Sequence, residues 1–88
     1  MSSLAINRER KAAAIVAVLD RTFREIGVDP ERAADHVRSM PELDWRMAAL
    51  IAGKDAPSAE TRALVLATYE GRERFVTENP ELAGVGNG

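Results

Sequence analysis

Apolar residues recur along this chain at the spacing of an α-helix, and short interruptions divide the pattern into four segments. In the first segment the apolar positions fall on one narrow stripe when they are drawn at about 100° per residue. The pattern predicts a helix with Asn7 as N-cap and Gly27 just past its end. The stripe that we expect to face a core consists of Ala12, Ile15, Val16, Leu19, Phe23 and Ile26.

The second segment is short and is bounded by prolines. Asp29 as N-cap and Pro30 at the first helical position predict its start. Pro41 cannot continue a helix, so the chain is expected to turn there. The apolar stripe of this predicted helix is Ala33, Ala34, Val37 and Met40.

The third segment carries apolar residues on two sides. The helix is predicted to begin between residues 42 and 44 and to end before Gly53. Trp45 points nearly opposite to the main stripe, beside Ala48 and Ala52. We expect the main stripe to face the core, and it consists of Leu43, Met47, Leu50 and Ile51.

The fourth segment is capped by Ser58 and is predicted to continue at least to Glu70. Gly71 either ends this helix or only weakens it, and a helix that ran on to Asn79 would be the longest in the chain. Its apolar residues occupy three sides, with Leu64 and Phe75 sharing one of them. A helix of this kind is either central or part of an interface.

Together these segments predict an all-α protein, a compact bundle or orthogonal array of four helices. We expect one domain at residues 1–80 and a flexible, Gly-rich tail at residues 81–88. The residues predicted to lie at the centre of the fold are Leu19, Phe23, Met47, Leu50, Leu66 and Tyr69.

Composition removes several classes of chemistry. The chain has one histidine and no cysteine, so no thiolate nucleophile, disulfide framework or His-x-x-x-His metal pair can form. Its glycines occur singly before the tail, so no phosphate-cradling loop is predicted. We therefore expect no enzymatic activity, no cofactor and no metal. The low lysine content, with only Lys11 and Lys54, indicates a bacterial or phage source, and the lack of a long apolar run indicates a cytoplasmic protein.

One cluster superficially resembles a nucleophile and a base. His36 and Ser39 are three residues apart on the second predicted helix, and Asp35 is adjacent. Asp35 points about 100° away from His36 on a helix, so it cannot orient the imidazole. We interpret His36 as a solvated side chain at a helix edge.

Charge is polarised along the chain. Residues 1–26 carry a net charge of +2 and residues 27–88 carry −4. In the first helix Arg10, Arg21 and Arg24 project the same way, which allows an arginine stripe for an acidic partner. The interpretation we favour is a solvated face with weak pairs such as Arg21 with Glu25.

The second and third helices have the lengths of a helix-turn-helix, which makes a DNA-binding protein the alternative function. A recognition helix presents polar and basic side chains to base edges, whereas residues 45–52 offer only Arg46. We therefore expect no specific binding of nucleic acid.

The sequence favours a small non-catalytic protein-interaction module, such as an adaptor, an inhibitor or a regulatory subunit. We expect a homodimer that uses the fourth helix, because Leu64 and Phe75 cannot both reach a core that takes Leu66. Trp45 is expected in the core, with a role as a partner anchor as the alternative. The candidate partner-binding residues are Arg10, Arg21, Arg24, Trp45, Leu64 and Phe75.

Overall fold

The computed structural model describes residues 3–79, with side chains from Ile6 onward. Within these residues the chain forms four α-helices, which confirms the all-α fold: α1 (Ser3–Ile26), α2 (Ala33–Arg38), α3 (Glu42–Ile51) and α4 (Ala59–Glu78). A 3-10 turn at Pro30–Arg32 leads into α2. The predicted tail at residues 81–88 lies outside the described part of the chain.

The principal axes of the molecule measure 41 × 32 × 19 Å. A helix with its side chains is about 10–12 Å wide, so the thinnest dimension holds two layers. In a molecule of two layers, each helix has one side that no other helix covers. The residues on these uncovered sides form the surface that other molecules can contact.

The longest helix, α1, is the central helix of the core. It packs most extensively against α4 and also contacts α3. Its predicted stripe is buried from Ala12 to Phe23, and Ile15 is completely shielded from solvent. The helix begins at Ser3 rather than after Asn7, so the N-cap prediction was wrong.

The geometry at the end of α1 explains why Ile26 is not part of the buried stripe. Gly27 adopts φ +78°, and the backbone N–H of Val28 donates to the carbonyl of Phe23 over 2.8 Å. This turn brings Val28 back against the core, as helix ends of this type do. Ile26, expected in the stripe, is left 63% exposed.

The α4 helix runs through Gly71 without interruption to Glu78. A glycine inside a helix costs about 1 kcal/mol relative to alanine, and packing on the N-terminal side of Gly71 offsets that cost. Val65 and Tyr69 are buried there, and Leu66 is partly buried against the same cluster. The Ser58 hydroxyl accepts a hydrogen bond from the Thr61 N–H, which confirms the predicted cap. At 20 residues α4 is shorter than the 24 residues of α1, so it is not the longest helix.

The largest departure from expectation is the orientation of α3. Trp45, Ala48 and Ala49 are buried against the rest of the fold. Met47 and Leu50, predicted to be central, are 47% and 69% exposed. The small side chains of Ala48 and Ala49 allow close approach, and the large Trp45 ring is buried in the same core cluster.

Candidate functional site

The exposed side of α3 is the most prominent apolar surface among the described residues. Leu43, Leu50 and Ile51 are each about two-thirds exposed, and Met47 about half. We call these four residues, Leu43, Met47, Leu50 and Ile51, the α3 stripe. Their spacing places them on one side of the helix, opposite the buried Trp45.

The ends of α3 are fixed by backbone geometry. Pro41 precedes the first turn in an extended conformation, and Glu42 and Asp44 place negative charge at the positive end of the helix dipole. At the other end Gly53 adopts φ +72° and donates to the Leu50 carbonyl over 2.9 Å. The Lys54 N–H donates to the Ala49 carbonyl over 2.8 Å. This hydrogen-bonded stop defines the length of the stripe.

A polar layer holds the buried side of α3 in place. The Arg62 guanidinium of α4 lies 5.4 Å from the centre of the Trp45 ring. It also bonds to the Glu42 carboxylate, and its Nε donates to the Pro57 carbonyl. The hydrogen bond from Arg62 lowers the pKa of Glu42 below its ordinary value. These contacts orient α3 so that the α3 stripe faces outward.

Trp45 is only 5% exposed, so it belongs to the core, as the favoured interpretation predicted. It is not presented at the surface as an anchor for a partner. Its cation–π contact with Arg62 ties it to α4 instead.

The arginines singled out on α1 are all exposed, as expected for residues on one outward side. Arg21 forms an ion pair with Glu25 at 3.4 Å, which is the pairing predicted for a solvated face. Such an exposed pair contributes little to stability. Arg10 and Arg24 lie on the same outward side, and Arg24 also borders a groove at the end of α1.

That groove, about 430 Å³ in volume, lies between the end of α1, the turn before α2 and α4. Its apolar lining includes Phe23, Val28 and Val76. On its polar side Asp20 accepts hydrogen bonds from the Tyr69 hydroxyl and from Arg72, each at 2.8 Å. Burial raises the pKa of Tyr69 above its ordinary value, and the hydrogen bond to Asp20 adds to this. The network joins α1 to α4.

Leu64 and Phe75 are 37% and 55% exposed on α4. They lie on one side of the helix but three turns apart, with Thr68 and Arg72 between them. This side of α4 is therefore interrupted by polar groups, whereas the α3 stripe is continuous.

The cluster around His36 does not assemble a reactive site. The Ser39 hydroxyl donates to the backbone carbonyls of Asp35 and His36, and the Asp35 carboxylate bonds to Arg38. The His36 ring stacks at a tilt on Phe23, with 5.5 Å between the ring centres. The Ser39 hydroxyl is thus engaged at a helix end, and His36 is exposed, as the interpretation from sequence expected.

Comparison with protein-family models, with curated proteins and with solved structures gives no match to this chain. Among the described residues, no three acidic or histidine side chains gather in a way that could hold a metal ion. No helix in the same part of the chain is long and apolar enough to cross a bilayer.

The sequence correctly predicts that the four residues of the α3 stripe share one side of the helix, but the expectation that this side faces the core was wrong. The signal that could have corrected it was present, because Trp45, Ala48 and Ala49 form a second apolar side. Because α3 lies at the edge of a two-layer fold, the other helices cover only one of its two apolar sides.

Proposed function

We propose that this protein is a small non-catalytic protein-interaction module that contacts its partner through the α3 stripe. The observation that carries the proposal is the exposure of Leu43, Leu50 and Ile51, each about two-thirds accessible on one helix face. The largest contiguous apolar patch on a soluble protein, typically about 300–600 Å², is often a functional contact site. Adaptor, inhibitor and regulatory subunit are the roles that such a module fills.

The rim of the stripe supports a specific contact. Arg46 lies 3.6 Å from Glu42, Asp44 is in the first turn of α3, and Lys54 follows the C-terminal end of the helix. Protein interfaces commonly combine an apolar centre with a charged rim of this kind. Met47, near the middle of the stripe, has a flexible side chain that adapts to the shape of a partner.

The stripe favours a protein partner over DNA. If α3 were a recognition helix, its outward side would present Leu43, Met47 and Leu50 to the base edges. Aliphatic side chains offer no hydrogen bonds to bases, apart from contacts with thymine methyl groups. The bacterial or phage source and the cytoplasmic location stay predictions from the sequence.

The proposal is tested by capture of partners with a matched pair of variants. Leu50→Gln places an amide in the α3 stripe, and Ile26→Gln places one at a similarly exposed apolar position at the end of α1. Tagged wild type and both variants would be expressed in the cells that encode the protein, and captured chains would be identified by mass spectrometry. Each candidate would then be purified and its affinity measured.

We expect the partner to bind wild type and Ile26→Gln equally, and Leu50→Gln at least tenfold more weakly, since the centre of an interface carries most of its energy. Circular dichroism of both variants checks that the helices are retained. If no contact of the protein, with itself or with another chain, depends on Leu50, the proposed function is wrong.

A further inference from the structure

We propose that the occupant of the α3 stripe is a second copy of this chain, paired antiparallel across a twofold axis near Met47. This inference rests on the proposed function and names its partner. The expectation from sequence was a dimer through α4, whereas the continuous apolar surface lies on α3.

The symmetry of the stripe is the first argument. Leu43 and Ile51 each lie four residues from Met47, on either side of it, and both are 66% exposed. Reversing the helix about Met47 therefore exchanges two large aliphatic residues of equal exposure. Three of the four stripe residues therefore map onto the stripe itself, whereas Leu50 falls at the level of Asp44 of the other copy. A twofold interface, in which the same patch serves both copies, is compatible with this arrangement.

The area that would be covered is the second argument. Two α3 stripes facing each other would remove on the order of 800 Å² from solvent, and the flanking side chains bring the total to about 1,000 Å², the lower bound for a specific interface. An interface at this lower bound predicts a dimer that exchanges with the monomer rather than an obligate one.

Charge decides between the two possible directions. Glu42 and Asp44 are both in the first turn of α3. A parallel pair would stack the acidic turns of the two copies, whereas an antiparallel pair keeps them at opposite ends. Arg46 of each copy would lie near the axis but points to the side, where its own Glu42 at 3.6 Å offsets the charge.

The absence of cysteine from the sequence makes the geometry directly testable, because any introduced thiol can form only an intermolecular disulfide. A disulfide requires the two Cα atoms to lie within about 7 Å. In the proposed pair the two copies of residue 47 meet this limit. The two copies of residue 43 lie about 12 Å apart along the axis, as do those of residue 51, since each residue adds about 1.5 Å.

Single variants Met47→Cys, Leu43→Cys and Ile51→Cys would be oxidised at micromolar concentration, with Ile26→Cys as the control for random collisions. We expect rapid cross-linking of Met47→Cys only. An equimolar mixture of Leu43→Cys and Ile51→Cys should give the mixed disulfide, because the pair brings these two positions together. Light scattering of wild type at hundreds of micromolar should give twice 9.6 kDa, and Leu50→Gln should give the single mass.

Equal cross-linking of residues 43, 47 and 51 in the single variants would show parallel pairing and overturn the inference. Cross-linking of Met47→Cys no faster than Ile26→Cys, with a monomer at hundreds of micromolar, would also overturn it. In that second case a different protein whose binding depends on Leu50 would leave the proposed function standing, so the two failures are distinguishable.

Discussion

The helices α1 and α3 carry equally clear aliphatic stripes and use them in opposite ways. In α1 the stripe is buried, with Ile15 fully shielded, whereas in α3 the stripe faces solvent and Leu50 is 69% exposed. The difference follows from position. The α1 helix is contacted by both α3 and α4, whereas α3 packs chiefly on α1 and needs only one buried side.

An amphipathic pattern therefore identifies an apolar side of a helix but does not tell whether the rest of the chain covers that side. In α1 the cover is the rest of the chain. In α3 the rest of the chain covers Trp45, Ala48 and Ala49, so a second apolar side remains. The α3 stripe is therefore left as the most extensive exposed apolar surface among the described residues.

The largest expected effect lies on the buried side of α3. Trp45→Ala should lower the free energy of unfolding by about 3–5 kcal/mol, because it removes a large buried ring and leaves a cavity. Urea unfolding followed by circular dichroism measures the loss. The emission of wild type, from its single tryptophan, should be blue-shifted at every protein concentration. Emission that moved to the red on dilution, with helicity intact, would place Trp45 in the interface instead.

The next largest effect tests the buried stripe of α1. Ile15→Ala should cost about 2–5 kcal/mol, since Ile15 is completely buried and its neighbours can only partly fill the cavity. The measurement is the same urea titration, with Ala17→Ser on the exposed side of α1 as a control that changes little. A loss below 1 kcal/mol for Ile15→Ala would mean that the contact of α1 with the core is loose.

A smaller effect concerns the link between α1 and α4. The raised pKa of Tyr69 means that the folded protein holds this proton more tightly than the unfolded chain does. Stability should therefore be unaffected below about pH 9 and should fall as the pH rises past about 10, where an unfolded tyrosine ionises.

The single tyrosine makes this measurable by its phenolate absorbance near 295 nm. The ionisation midpoint should lie above that of free tyrosine and return to the ordinary value in concentrated urea. Tyr69→Phe should cost about 1 kcal/mol at neutral pH, since it removes the hydrogen bond to Asp20. An ordinary midpoint in the folded protein would show that the hydroxyl is open to solvent.

The smallest effect on folding is expected at the α3 stripe. Leu50→Ala should change the stability of the dilute monomer by no more than about 0.5 kcal/mol, because the side chain is exposed. A small loss for Leu50→Ala beside a large loss for Ile15→Ala would show that the α1 stripe is buried and the α3 stripe is not. A loss of several kcal/mol for Leu50→Ala in the monomer would show that the stripe is covered within the chain, as the sequence pattern first indicated.

The number of helices and most of their ends could be predicted from the sequence, because the signals are local, although α1 begins earlier than the predicted cap at Asn7. Helical periodicity, the Ser58 cap, the Gly27 stop and the turn at Pro41 depend on residues that are close in the chain. The continuation of α4 through Gly71 was left open, since a cost of about 1 kcal/mol is decided by how the flanking turns pack.

Which side of α3 is buried depends on tertiary packing. Two apolar sides compete on that helix, and their order depends on the shape of the surface that α1 and α4 present. Small Ala48 and Ala49 with one large ring fit closely against this surface, and Arg62 satisfies Glu42 at its edge. The exposure of Met47 and Leu50 is a consequence of that fit, since packing depends on shape in three dimensions whereas periodicity reports only the angle around one helix.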